Sequence, residues 1–204
     1  MSELEALAKE IRTCPKCRLA QTRTKAVPGE GPEDADIMFI GEAPGFHEDR
    51  QGRPFVGASG NLLEEMLAGI GLSRQQVYIT NVVKCRPPNN RDPRTDEIET
   101  CHPYLERQIE LIRPKIIVTL GRFSMQLYFP GQSITRIHGQ VKRGAHVAYV
   151  PMFHPAAALR NPTWMDELKQ DFAKLPGLLE ELAGDPEQKP PSGPDEDLQQ
   201  LSLF

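Results

Sequence analysis

The chain has 204 residues, 39% of them hydrophobic and 25% charged, which suits one folded domain plus a tail. No apolar run approaches the ~20 residues of a membrane span. The net charge of −4 disfavours nucleic-acid binding only at first sight. Residues 180–204 hold seven acids and one base, which leaves residues 1–179 slightly basic, with 23 basic and 21 acidic side chains.

The start, Met1-Ser2-Glu3-Leu4-Glu5, is acidic and helical in pattern. It lacks the basic, apolar character of a secretory signal, so a cytoplasmic location is expected. Disulfides are disfavoured there. Cys14 and Cys17 form a pair with two residues between them, the spacing of a metal grip or a redox motif. Cys85 and Cys101 complete a set of four thiols with none left over.

Four nearly continuous apolar runs follow, at Asp36–Ile40, Val77–Thr80, Lys115–Leu120 and Val147–Met152. Such runs predict strands buried on both faces. Helical patterns separate them. Ser59 is a predicted cap for a helix with a stripe of Leu62, Leu63, Met66, Leu67 and Ile70, ended by Gly71. Thr95 opens a second helix, with Ile98, Cys101, Leu105, Ile109 and Ile112 on its apolar side. A third is expected from Pro162 to about Leu182. Alternating strands and helices predict an α/β fold with a parallel sheet and helices on both faces. In such sheets a ligand sits at the carboxyl ends of the strands. Gly41–Gly45, Asn81 and His154-Pro155 each follow a predicted strand, so they should meet in one crevice.

Taken together, Gly41-Glu42-Ala43-Pro44-Gly45, Glu48-Asp49, Gly52-Arg53-Pro54-Phe55-Val56-Gly57, Thr80-Asn81, His154-Pro155-Ala156-Ala157-Ala158-Leu159 and the four cysteine positions resemble the family 4 uracil-DNA glycosylases. These are iron–sulfur members of the uracil-DNA glycosylase superfamily. The resemblance covers residues 1–182. It implies a three-layer α/β/α sandwich around a four-stranded parallel sheet, and a 4Fe–4S cluster on Cys14, Cys17, Cys85 and Cys101. It also implies hydrolysis of the uracil–deoxyribose bond in base excision repair. On their chemistry alone four thiolates suit zinc or a cubane cluster. The wide spacing of Cys85 and Cys101, and the resemblance, favour the cluster.

Better-known uracil glycosylases carry Gly-Gln-Asp-Pro-Tyr at the first motif, where the Asp positions the attacking water. Aligned on Pro44, that Asp becomes Ala43 and the Tyr becomes Gly45, so the water needs another partner. A related branch forms a covalent adduct through a His-containing insertion after the second strand. The stretch Lys84–Thr95 has no His and argues against that chemistry. No Lys stands in the active motifs, so cleavage of the sugar is not expected.

Within this framework an extruded uracil needs an aromatic lid, an edge reader and an anion stabiliser. Phe55 is the candidate lid, the alternative being a core aromatic. Asn81 offers one acceptor for uracil N3–H and one donor for O4, the reverse of what cytosine needs; otherwise it only caps a strand. His154 is the candidate donor to uracil O2. Glu42 and Glu48 are the available carboxylates, for water, for the sugar cation or as loop anchors. Gly41 and Ala43 belong to the expected base-binding loop. Ser59, Arg86, Ala158, Leu159 and Arg160 are candidate DNA contacts, with Ala158 and Leu159 as a wedge and Ser59 at a helix N-terminus.

Residues 183–204 are read as a separate unit. A Pro-, Gly- and acid-rich linker leads to Gln200-Leu201-Ser202-Leu203-Phe204, which resembles the peptide that binds the bacterial sliding clamp. Gln200, Leu201, Leu203 and Phe204 are its expected anchors, and a tail folded back on its own domain is the alternative. The expected partners are uracil-containing DNA and that clamp, with the chain a monomer. The rival functions are a glycosylase of wider base range, an iron–sulfur redox protein and a non-catalytic DNA-binding module.

Overall fold

In the computed structural model, which describes residues 1–184, five strands form one sheet. They are β1 (Ile37–Gly41), β2 (Tyr78–Asn81), β3 (Ile116–Leu120), β4 (Lys142–Arg143) and β5 (Ala148–Met152), in the order β2-β1-β3-β5-β4. β2, β1, β3 and β5 run parallel and match the four predicted runs within a residue or two at each end. The expected four-stranded sheet needs one correction. The fifth strand, β4, pairs antiparallel with β5 through Lys142↔Tyr149 and Arg143↔Ala148. Its two exposed basic residues give no apolar signal, and such charges blunt a sheet edge.

Every residue of β1 is buried, because each face of the sheet is covered. Ile37 and Phe39 point into one core, with Leu63 and Leu67 of α3 (Ala58–Gly69), Leu168 and Phe172 of α8 (Pro162–Ala173), and Leu178 of α9 (Leu175–Ala183). Met38 and Ile40 point into the other, with Leu4 and Ile11 of α1 (Glu3–Thr13) and Leu105 and Ile112 of α4 (Thr95–Ile112). The period of two along a strand thus builds a three-layer sandwich. Four short helices lie in the connections: α2 (Phe46–Gln51), α5 (Arg122–Gln126), α6 (Ile134–Ile137) and α7 (Pro155–Ala158).

Two predicted boundaries move. Gly57, not Ser59, caps α3, and Ser59 lies inside its first turn. The expected helix from Pro162 to Leu182 is two helices that meet at Lys174. Pro176 has no N–H, and its ring would collide with the Phe172 carbonyl of a continuous helix. No helix among the described residues is long and apolar enough to cross a membrane.

Gly60 shows how closely α3 abuts the loop before it. A Cβ there would lie 1.9 Å from the Phe55 carbonyl oxygen and 2.2 Å from its carbon. Gly60→Ala should therefore cost roughly 1–3 kcal/mol and lower Tm by several degrees. Gly69→Ala, at a helical position with nothing within 4 Å of the new carbon, should stabilise by up to about 1 kcal/mol. Thermal unfolding of both variants checks the contrast.

Candidate active site

The carboxyl ends of the parallel strands open into a cavity of about 550 Å³. Glu42, Ala43, Pro44 and Gly45 line it after β1, Asn81 at the end of β2, and His154, Ala156 and Ala157 after β5. Phe55, Glu48 and Ser59 close a further side, and Pro87, Asn90, Arg91, Asp92 and Arg160 complete the wall. The segments expected to meet do so. Gly41, at the end of β1, lies behind the wall: a Cβ there would fall 2.4 Å from Asn81 Oδ1 and 2.7 Å from the Phe55 ring. Only a residue without a side chain lets those two groups approach the strand end.

Phe55 is buried and adopts φ +50°, a left-handed backbone that a bulky residue avoids. Arg74 holds it there. Its guanidinium donates to the carbonyls of Phe55 and Pro54, both at 2.6 Å, and is itself paired with Glu30 at 2.6 Å and Glu64 at 3.2 Å. Sequence reasoning missed Arg74, whose partners are spread over the chain. The Phe55 ring faces the His154 ring at 5.6 Å, with 25° between their planes.

Glu48 secures the same loop from the cavity side. One carboxylate oxygen accepts the N–H groups of Val56 at 2.9 Å and Gly57 at 3.0 Å; the other accepts that of Gly45 at 3.1 Å. Of the functions open to it, the geometry favours loop anchor. Its buried neighbour Asp49 accepts from the backbone N–H of Thr24 at 2.8 Å.

Glu42 is different. It lines the cavity, and no hydrogen bond to its carboxylate is present among the described residues. Burial pushes its pKa up to about 7; the negative Asp92 adds to this and Arg122 opposes it. Asp92 and Arg122 themselves form an ion pair. His154 shifts the other way. Burial pushes its pKa down to about 4, against the opposing charge of Glu48, so the ring is neutral at physiological pH. Its Nδ1 accepts the Ala156 backbone N–H at 3.0 Å and caps α7. The proton of the neutral ring therefore sits on Nε2. Gly121, at the end of β3, lets the His154 side chain pack against the strand end, 3.1 Å from where a Cβ would be.

The rim separates the expected DNA contacts. Leu159 is 48% exposed, whereas Ala158 is buried in the core and presents no wedge, a correction to the expectation. Its position on the inner side of one helical turn sends it inward. Arg160 lies at the cavity edge. Arg86 donates to Asn90 Oδ1 at 2.7 Å and lies over the exposed Phe46 ring at 5.2 Å. Arg91 is held by a bidentate pair with the buried Glu97, at 2.6 and 2.8 Å. Ser59 lines the cavity without capping a helix.

On the opposite face of the sheet, Cys14, Cys17, Cys85 and Cys101 line one small pocket with Ile11, Arg23, Lys84, Thr100 and Tyr104. Arg23 donates to Cys85 Sγ at 3.0 Å, and the Lys84 backbone N–H donates to Cys101 Sγ at 3.2 Å. Burial pushes the Cys101 thiol up to about 11, against the nearby Lys84 charge, and pushes Cys85 up as well. Among the described residues no three His, Cys, Asp or Glu side chains gather as ligands of a single ion. Lys84 is 1% exposed, and no lysine lines the cavity itself among the described residues.

Residues 28–175 match the family model described as the uracil DNA glycosylase superfamily. A type-4 uracil-DNA glycosylase of Sulfurisphaera tokodaii is 54% identical over 86% of this chain and 84% of its own length. One from Archaeoglobus fulgidus is 50% identical over 86% and 92%. A type-5 enzyme of Mycobacterium leprae reaches 32% over 86% and 96%. The chain belongs to the uracil DNA glycosylase superfamily and, within it, to the type-4 uracil-DNA glycosylases.

The raised Glu42 pKa has a consequence for stability. Between its ordinary value of 4.5 and about 7, the folded protein binds more protons at this site than the unfolded chain. Its contribution is therefore favourable at low pH and lost as pH rises through that window. Glu42→Gln should gain stability over the wild type at pH 7.5 compared with pH 5. Denaturant titrations at the two pH values measure the difference, and parallel curves would contradict the assignment.

Proposed function

We propose that this enzyme extrudes uracil from DNA into the cavity and hydrolyses its N-glycosidic bond with Glu42, Asn81, Phe55 and His154. The supporting observation is the convergence of those four side chains at the strand ends, with His154 neutral and its proton on Nε2.

Uracil lies against the Phe55 ring, and Asn81 pairs with its N3–H and O4. As the bond from C1′ to N1 breaks, the electron pair passes to uracil and negative charge gathers on O2. The His154 Nε2–H donates to that oxygen, and the bond strengthens as charge develops. A neutral imidazole stabilises the departing anion without surrendering its proton. Glu42 takes the part vacated by Ala43: in its ionised form it orients water toward C1′ and accepts the proton as the new C–O bond forms. Glu48 keeps the Phe55 loop in register through its three N–H bonds. No lysine lines the cavity wall among the described residues to form an imine with the sugar, which supports an abasic site as the product.

The four cysteines fit a 4Fe–4S cluster. They share one pocket, two of them are buried, and a set of four thiols supplies one ligand for each iron of a cubane. Such a cluster would pin α1 and its following arm to α4 and to the segment after Asn81. Gln200, Leu201, Leu203 and Phe204 lie outside the described residues. Their likeness to a clamp-binding peptide supports residues 183–204 as a separate tethering unit on residues 1–182. Binding of a peptide of residues 195–204 to a bacterial clamp tests it.

Uracil release from a labelled oligonucleotide tests the catalytic reading. His154→Ala should lose about 3–4 kcal/mol of transition-state stabilisation, a fall of roughly a hundred- to a thousand-fold. Asn81→Ala should lose about 1–3 kcal/mol. Equal activity in all three proteins would refute the assignment. Iron and inorganic sulfide should each be present at about four per chain in protein purified without oxygen, and zinc in their place would overturn the cluster.

A further inference from the structure

Lys84 follows the end of β2 by three residues and precedes Cys85. It is 1% exposed, and among the described residues no carboxylate contacts its Nζ. Its Nζ instead donates to Thr80 Oγ1, to the Asn81 carbonyl and to Gln108 Oε1, each at 2.7 Å. The two side-chain acceptors are fixed by other bonds. Thr80 spends its own proton on the Pro28 carbonyl at 2.8 Å. Gln108 turns its amide nitrogen to that same carbonyl at 2.8 Å and to Tyr78 Oη at 3.1 Å, leaving its oxygen for Lys84. Three acceptors thus surround the Lys84 Nζ and fix its position.

The Lys84 main chain reaches the other way. Its N–H meets Cys101 Sγ at 3.2 Å, and its carbonyl accepts from Val27 at 2.7 Å. One residue therefore grips the backbone of Asn81 with its side chain and a cysteine sulfur with its backbone.

We propose that Lys84 is a positioning residue that fixes the uracil-reading Asn81 relative to the cysteine site. The edge reader discriminates only while its amide is held at one angle and height. Asn81 is the last residue of β2, an edge strand that pairs with β1 alone within the sheet. Lys84 supplies the missing restraint at the Asn81 carbonyl. The Lys84 N–H on Cys101 Sγ ties that restraint to the cysteine site. Removal of the Nζ group would leave the Asn81 carbonyl without this tie, and the strand end would relax with Asn81 on it.

This inference rests on the reading of Asn81 as the uracil reader. The test uses full-length, cluster-loaded protein and two readouts. The first is the inhibition constant of free uracil, which does not depend on what fraction of molecules is folded. The second is the reduction potential of the cluster. Lys84→Met should raise the uracil inhibition constant by about ten-fold or more. It should also move the potential, because the backbone N–H that meets Cys101 Sγ shifts as the strand end relaxes. If Lys84→Met fails to fold, Thr80→Val, which removes one acceptor, should raise the inhibition constant in the same direction. Asn81→Ala is measured in parallel. If Asn81→Ala leaves uracil inhibition unchanged, the reading of Asn81 fails, and this inference with it. If Asn81→Ala weakens inhibition but the Lys84 or Thr80 variant does not, this inference alone is overturned. An unmoved potential in folded Lys84→Met overturns the link to the cysteine site.

Discussion

Phe55 keeps its left-handed backbone because Arg74, Glu48 and Gly60 restrain it from three sides. A bulky residue at φ +50° costs about 1–3 kcal/mol. Two charge-assisted hydrogen bonds from Arg74 to the carbonyls of Pro54 and Phe55 each contribute about 1.5–3 kcal/mol, enough to offset that cost. Glu48 ties the following two N–H groups to Gly45, and the absent side chain of Gly60 lets α3 press against the Phe55 carbonyl. The aromatic surface, the loop after β1 and the start of α3 thus move as one body. A cavity that must meet a planar base has its floor set before any base arrives.

That rigidity gives the two titratable groups of the cavity different tasks. Both are shielded from water, and burial penalises the charged form of each, so the carboxyl rises and the imidazole falls. The histidine is left neutral with its donor on Nε2 because the first turn of α7 occupies Nδ1. The Glu42 carboxyl sits near the midpoint of its titration at neutral pH, suited to taking a proton from water. Ala43 stands where better-known relatives carry a carboxylate, and its neighbour Glu42 brings one to the cavity from the same loop.

Much of this was legible in the sequence, for identifiable reasons. Four buried strands announce themselves because each is apolar along most of its length, as strands of a sheet covered on both faces must be. Loops that follow such strands are bound to meet, so Asn81 and His154 could be placed together with no knowledge of contacts. β4 was hidden because two exposed basic residues look like any loop. Ser59 had the right chemistry for a cap, but the loop restraint at Gly57 begins the helix two residues earlier. Ala158 shares a motif with the exposed Leu159, and only the phase of a one-turn helix tells the inward residue from the outward one. Arg74 and Lys84 were invisible for a deeper reason. Charged residues count as surface in any reading by composition, and the groups that let them be buried lie as far away as Glu30 and Gln108.

The same long-range pairing decides which positive charges remain for DNA. Arg91 is committed to Glu97 and Arg122 to Asp92, so two arginines near the cavity are neutralised before any phosphate approaches. Arg74 and Lys84 are buried and spent on holding loops. Arg160 stands at the cavity edge, and Arg86 has one N–H committed to Asn90 of the cavity wall. A chain that is only slightly basic before its acidic tail can therefore grip the substrate through a few phosphates around the extruded nucleotide. Affinity then comes from the base held in the cavity more than from the length of duplex covered, and the hydrogen-bonded scaffold around that cavity carries the discrimination.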